Sequence, residues 1–191
     1  MTALGVRVKS GWATAVLVVG PARAPRVADR RTVELSDPAV PTSRQPYHAV
    51  MGARARNAKP LEAMLRKVVA RVTRTSLGKL LRDYRAAGHA VRRIALVVGS
   101  DIDPAKIAND HIRAHALEGR LFRTALEQAA RSRGLRCAVV VERSVYLQAA
   151  AALRRSERQL KRAVTELGRS LDGPWRADEK TATLAAWMLL R

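Results

Sequence analysis

Apolar and polar positions alternate from the first residues of the chain. In "LGVRVKSGWATAVLVV", Leu4, Val6 and Val8 alternate with Gly5, Arg7 and Lys9, and a Ser-Gly pair then precedes a second apolar run. A period of two interrupted by a turn predicts a β-hairpin, with strands over residues 3–9 and 12–19. "RVADRRTVEL", from Arg26 to Leu35, predicts a third strand. Residues 36–60 carry Pro38, Pro41, Pro46 and Pro60 and read as an irregular loop, with a short helical turn in "YHAVMGARAR". A loop of that length inside a domain is often functional.

The period then changes. Leu61, Leu65, Val68, Val69, Val72, Leu80 and Tyr84 share one broad face, which predicts a helix from Leu61 to about Ala87. Pro60 suits its first turn and Gly88 its stop, while "TRTSLG" is weak helix sequence and a place for a kink. "RRIALVVGS" reads as a short buried strand. Asp103-Pro104 and Asn109-Asp110 offer helix starts, and that helix should run to about Arg133, with Gly134 as its end. "LRCAVVVE" predicts the next strand. The remainder reads as helical, broken near "DGPW" at Asp172 to Trp175, with a final helix from Asp178 to about Leu190. Three strands followed by βα alternation predict an α/β fold: a mixed five-stranded sheet flanked by helices, in a single domain over 1–191.

Composition narrows the classes. Aromatic residues are 4% of the chain and apolar residues 48%, so the core has to be built from Leu, Val and Ala. The lone Cys137 cannot form an internal disulfide. No apolar run approaches the roughly 20 residues of a membrane span, and no signal-peptide pattern opens the sequence. A cytoplasmic protein without a membrane partner is expected.

Charge changes the picture most. Lys and Arg total 36 against 16 acids, a formal charge of +20, and such an excess points to a polyanion. Lys67, Arg71, Arg74, Arg82 and Arg85 form a stripe opposite the apolar face of the first long helix. Between Arg44 and Arg85 stand eleven cations and two acids, too few to neutralise them, so phosphate contact is favoured over a merely solvated face. The stripe has no interleaved aromatics, which argues against stacking on single-stranded bases. Arg154, Arg155, Arg158, Lys161 and Arg162 form a second cluster, diluted by Glu157 and Glu166.

Candidate chemistry is sparse. No Ser-His-Asp or Cys-His order and no Walker-type loop stands out. His111, His115 and Glu118 lie at i, i+4 and i+7 on one helical face, a spacing that suits Zn²⁺ or another transition metal. His48 in "QPYH" can add a third imidazole if the long loop folds over. The competing reading is a polar helix face, and the sequence by itself assigns no metal ligand. Asp101, Asp103 and Asp110 follow the fourth strand and read first as turn and helix caps. Trp175 and Trp187 read as packing for the last helix rather than as base-stacking groups.

The element order matches the RNase H-like superfamily, and within it the chain resembles the RuvC-type Holliday-junction resolvases. "LGVRVKSGWATAVLV" is similar to that family's opening hairpin, and "HALEGRLFRTALEQA" to the helix after its fourth strand. "SERQLKRAV" followed by "ADEKTATLAAWML" resembles its C-terminal segment. The resemblance implies two divalent metals, about 4 Å apart, held by four carboxylates. Magnesium requires such oxygen ligands. Here the first-strand Asp of the family falls at Arg7, and the fourth-strand acid falls near Val97. Of the two C-terminal acids one matches Asp178, and the other falls at Thr181. A guanidinium repels Mg²⁺ and cannot ligate it, although it can pair with Asp178 or with a phosphate.

The expectation is therefore a nucleic-acid-binding pseudo-nuclease without a cofactor, with DNA the preferred partner over RNA. The resemblance also implies a homodimer. One alternative is an active nuclease using Mg²⁺ or another divalent metal on relocated residues: Asp101, Asp178 and Glu179, or the face of His111, His115 and Glu118. The other is a structural or regulatory subunit that meets an acidic protein.

Overall fold

A computed structural model describes residues 1–169 and 171–191. Five strands form one sheet in the order β3-β2-β1-β4-β5. They are β1 (Thr2–Val8), β2 (Trp12–Val19), β3 (Arg26–Glu34), β4 (Arg93–Val98) and β5 (Arg136–Val141). β1 and β2 pair antiparallel, as do β2 and β3, whereas β4 runs parallel to both β1 and β5. The Ser-Gly turn works because Gly11 takes φ +84, a left-handed value that glycine adopts without a Cβ penalty.

Helices cover both faces. On one side α2 (Ala55–Ala86) and α3 (Asp110–Arg131) bury Leu77, Phe122 and Leu126 against Leu4, Val6 and Val8. The short α1 (Pro46–Met51) packs on α2 and α3. On the other side lie α4 (Val145–Leu153), α5 (Glu157–Leu167) and α6 (Ala177–Met188). There Leu160, Val164, Ala182 and Trp187 meet Ala3, Val16, Ala95 and Val97. Period two along β1 thus feeds two cores at once. α6 is buried from Thr181 to Met188, and its Ala and Thr residues let its backbone come down on the sheet. Contact is so close at Gly5 that a β-carbon there would run into the Ala182 carbonyl. The architecture is α/β with a mixed five-stranded sheet, as the periodicity predicts.

Three boundaries differ from the sequence reading. α2 starts at Ala55 rather than Leu61, so Pro60 lies inside the helix. Pro60 forfeits only the bond to the Arg56 carbonyl, and Arg56 is exposed where water can satisfy it. The helix runs unbroken through "TRTSLG". Its Thr73 and Gly78 are buried, and Arg133 at the end of α3 donates to the Arg74 carbonyl at 2.7 Å. Small residues there serve helix packing, which outweighs their propensity. The C-terminal helical stretch also breaks once more than expected. Arg154 takes φ +53, and a capping box between Ser156 and Gln159 starts α5. That S-x-x-Q signal is readable in the sequence.

Candidate functional site

β1 and β4 set Arg7 beside Val97 in parallel register. Val6 and Val8 face α2 and α3, so Arg7 turns to the α6 side, where it is 5% exposed. Its guanidinium grips Glu142 with two bonds: Nε donates to Oε1 at 3.1 Å and Nη2 to Oε2 at 2.5 Å. Nη1 donates to the carbonyls of Val8 at 2.7 Å and Val97 at 3.4 Å. Asp178, in the first turn of α6, holds its Oδ1 3.7 Å from Arg7 Nε and 3.0 Å from Lys9 Nζ. The result is an alternating chain, Lys9–Asp178–Arg7–Glu142. A two-pronged guanidinium–carboxylate contact is among the strong polar pairs, and Asp178 also gains from the helix N-terminus.

Glu142 is the residue that sequence reasoning missed. It opens the short 3-10 turn Glu142–Ser144 directly after β5. It does have a signal: a single carboxylate closing the apolar run "CAVVVE", on a strand parallel to β4.

The other residues of this site do not complete a metal centre. Val97 is fully buried among apolar neighbours. Thr181 turns its hydroxyl onto its own helix, donating to the carbonyls of Ala177 at 3.0 Å and Asp178 at 3.1 Å. Glu179 caps α6 by accepting from the Arg176 N–H at 2.8 Å, and lies 3.6 Å from Arg30. Asp101 stands exposed in the β4–α3 connection, and among the described residues no ion pair or hydrogen bond joins it to Asp178 or Glu179. Asp103 caps the turn Pro104–Lys106, and Asp110 pairs with Arg113. The donor set does not suit the pair of divalent metals that the RuvC resemblance implies, because a guanidinium occupies the centre of it.

The basic surfaces are uneven. Lys67, Arg71, Arg74, Arg82 and Arg85 lie along α2, and all five are exposed. Arg71 is tied to Asp37 at 2.5 Å, and this bond, with help from the Ala39 N–H, holds the Asp37 carboxyl below the usual carboxylate range. Lys67, Arg82 and Arg85 have no ion-pair partner among the described residues. In the second cluster Arg158, Lys161 and Arg162 are accessible on α5. Arg155 is half-buried, with its guanidinium 5.2 Å from the ring centre of Trp187, a cation–π distance. Trp187 and Trp175 are themselves anchored, donating to the carbonyls of Ala22 and Val164, both at 2.7 Å.

The loop carrying His48 does fold over α3. His48, His111 and His115 converge, with ring centres 4.4–4.8 Å apart. Glu118 does not stand in line with them. It is fully buried behind His48 and accepts from its Nδ1 at 2.8 Å.

No protein-family model and no curated protein sequence matches the chain. Solved structures are similar to it, two of them of RuvC. One is RuvC of Thermus thermophilus in complex with a Holliday-junction substrate, at a TM-score of 0.57 and 14% identity, over 98% of this chain and 91% of that one. Another structure of Thermus thermophilus RuvC gives a TM-score of 0.54 and 12% identity, over 98% and 92%. The chain therefore has the RNase H-like fold in its RuvC form, across nearly its whole length.

Proposed function

We propose that this protein binds duplex or branched nucleic acid through phosphate contacts and does not cleave it by the two-metal route. The observation that carries this reading is Arg7. It sits at the position of β1 where the RuvC resemblance puts a metal-binding carboxylate, and its charge is committed to Glu142 and Asp178. A divalent cation entering there would meet a fixed, buried guanidinium, and would have to break its ion pair to reach either carboxylate. Binding is supported by the charge of +20, by the cations on α2 that stand without an ion-pair partner among the described residues, and by a fold shared with a protein solved on a junction substrate. DNA is the first partner to test.

The experiment is fluorescence anisotropy on a labelled four-way junction and a linear duplex across a salt series, alongside an incision assay with Mg²⁺. If about five phosphates are contacted, log affinity falls with log salt at a slope of about −4 to −5. A slope near zero removes the phosphate-contact reading. Mg²⁺-dependent incision by the unmodified protein removes the claim that it does not cut.

A further inference from the structure

We propose that His48, His111 and His115 form a binding site for one transition-metal ion of the Zn²⁺ class, with Glu118 as the group that positions His48. Three of the chain's four histidines meet here, brought from α1 and α3. Their ligating nitrogens all lie within 4.8 Å of one another. The Nε2 atoms of His111 and His115 are 3.2 Å apart. Two nitrogens bound to one tetrahedral Zn²⁺ at about 2.0–2.1 Å each are separated by about 3.3–3.4 Å, so the pair already stands at ligand spacing.

His48 supplies the independent observation. Its Nδ1 is 2.8 Å from Glu118 Oε1, and a carboxylate only accepts, so that nitrogen carries the proton. The lone pair is then on Nε2. That atom is buried and has no hydrogen-bond partner among the described residues. A buried acceptor without a donor is costly, and a metal ion satisfies it.

Glu118 completes the pattern. Its side chain is fully buried, and Oε1 also accepts the His48 backbone N–H at 3.3 Å, which fixes the ring's position as well as its tautomer. Oε2 has no hydrogen-bond partner among the described residues, and His115 Nδ1 lies 3.9 Å from it. A buried carboxylate behind a ligating imidazole is the usual outer shell of a zinc site, and a bound cation offsets its charge. Imidazole ligands select Zn²⁺, Co²⁺, Ni²⁺ or Cu²⁺ over Mg²⁺. Three protein ligands leave a fourth position open to solvent, since His111 and His115 are exposed. The ion would also fasten α1, and with it the long loop after β3, to α3.

The test uses the full chain stripped of metal by chelation, titrated with Co²⁺ and read by its visible d–d absorption, with Zn²⁺ calorimetry in parallel. One ion per chain with tetrahedral absorption is expected, displaced by Zn²⁺. His111→Ala removes an exposed ligand without opening the core, and should weaken binding at least 100-fold while far-UV circular dichroism stays unchanged. Glu118→Gln should lower affinity about 10- to 100-fold but keep the tetrahedral spectrum, as a positioning group does. Octahedral Co²⁺ spectra, or Zn²⁺ affinity the same in wild type and His111→Ala, would overturn the site. The remaining histidine, His89, is the internal control: a His89→Ala variant must bind as wild type does, and loss of binding there would also overturn it. None of these readouts depends on nucleic acid, so the site and the DNA-binding reading stand or fall separately.

Discussion

The Arg7 centre and the histidine centre are opposites in how they balance charge. At Arg7, two carboxylates that reach one corner of the sheet are answered by cations of the same chain, Arg7 and Lys9. At the histidines, a carboxylate with no exposure at all is answered, among the described residues, only by imidazoles, the nearer at 2.8 Å and the other at 3.9 Å. The first is closed and its charges are mutually satisfied. The second holds buried atoms that have no hydrogen-bond partner among the described residues, beside imidazoles at metal spacing. They also sit in different layers, the first under α6 and the second between α1 and α3. Carboxylates near a sheet end are therefore a poor guide to metal binding in this molecule; what matters is whether the chain has supplied its own counter-cation.

Substitution at Arg7 is the strongest way to break that contrast. Arg7→Asp sets a new carboxylate against those of Glu142 and Asp178, with Lys9 alone to offset the three. Loss of one partner from a fully buried pair costs about 3–5 kcal/mol. Glu142 is 36% exposed, so the loss here should fall below that range while remaining the largest of the set, and urea unfolding at neutral pH should register it. Millimolar Mg²⁺ should recover part of the loss without producing incision, because Val97 and Thr181 still offer no carboxylate. An unchanged unfolding midpoint would mean that Arg7 is not the closing charge. Glu142→Gln is gentler, since it keeps the shape and one acceptor. A hydrogen bond to a charged group contributes about 1.5–3 kcal/mol, and the variant should fall at the low end because Glu142 is 36% exposed.

A third experiment asks whether either centre is part of the binding surface. Lys67→Glu combined with Arg85→Glu touches neither, and both residues are exposed. Junction affinity should drop at every salt concentration, and the salt slope should flatten by about 2, with stability changed by no more than about 0.5 kcal/mol. Arg71 is the wrong residue for this purpose because its charge is engaged by Asp37. Unaltered affinity would move the interface toward the Arg7 end of the sheet.

The smallest effect comes from Asp37–Arg71, the solvent-exposed counterpart of Arg7–Glu142. Its Asp37 carboxyl is held below the ordinary range, chiefly by the Arg71 hydrogen bond. A group whose folded pKa is lowered adds stability above its unfolded pKa and loses it as pH falls through the folded value. Urea midpoints of wild type and Asp37→Asn should differ slightly at neutral pH and converge under acid. The gap should be far smaller than that for Arg7→Asp, because exposed pairs contribute little.

Much of this is readable in the sequence because it rests on local period. The alternation around Arg7 gives its strand and its face, and the i, i+4 spacing of His111 and His115 gives a shared helical face. What cannot be read depends on distant chain. Glu142 meets Arg7 across 135 positions, and nothing near either residue announces the other. Glu118 falls at i+7 from His111 and looks like a third ligand, yet its burial makes it a support for His48. The continuity of α2 through "TRTSLG" goes with the burial of Thr73 and Gly78 and with Arg133, which lies against Gly78 and bonds the Arg74 carbonyl, and propensity contains none of this. The ring of Trp187 against Arg155 is likewise invisible to a count of cations.

Gly5 carries a consequence for anyone who surveys variants of this protein by selection. The backbone of α6 rests on it, so every larger residue displaces the helix that carries Asp178. In a saturation library that scores function, position 5 should be as intolerant as position 7, although it has no side chain to bind anything. Sorting the same library on abundance separates the two: Gly5 variants should fail by never accumulating. A map of intolerance drawn without that second sort would credit the binding surface with a residue whose whole contribution is the space it leaves empty.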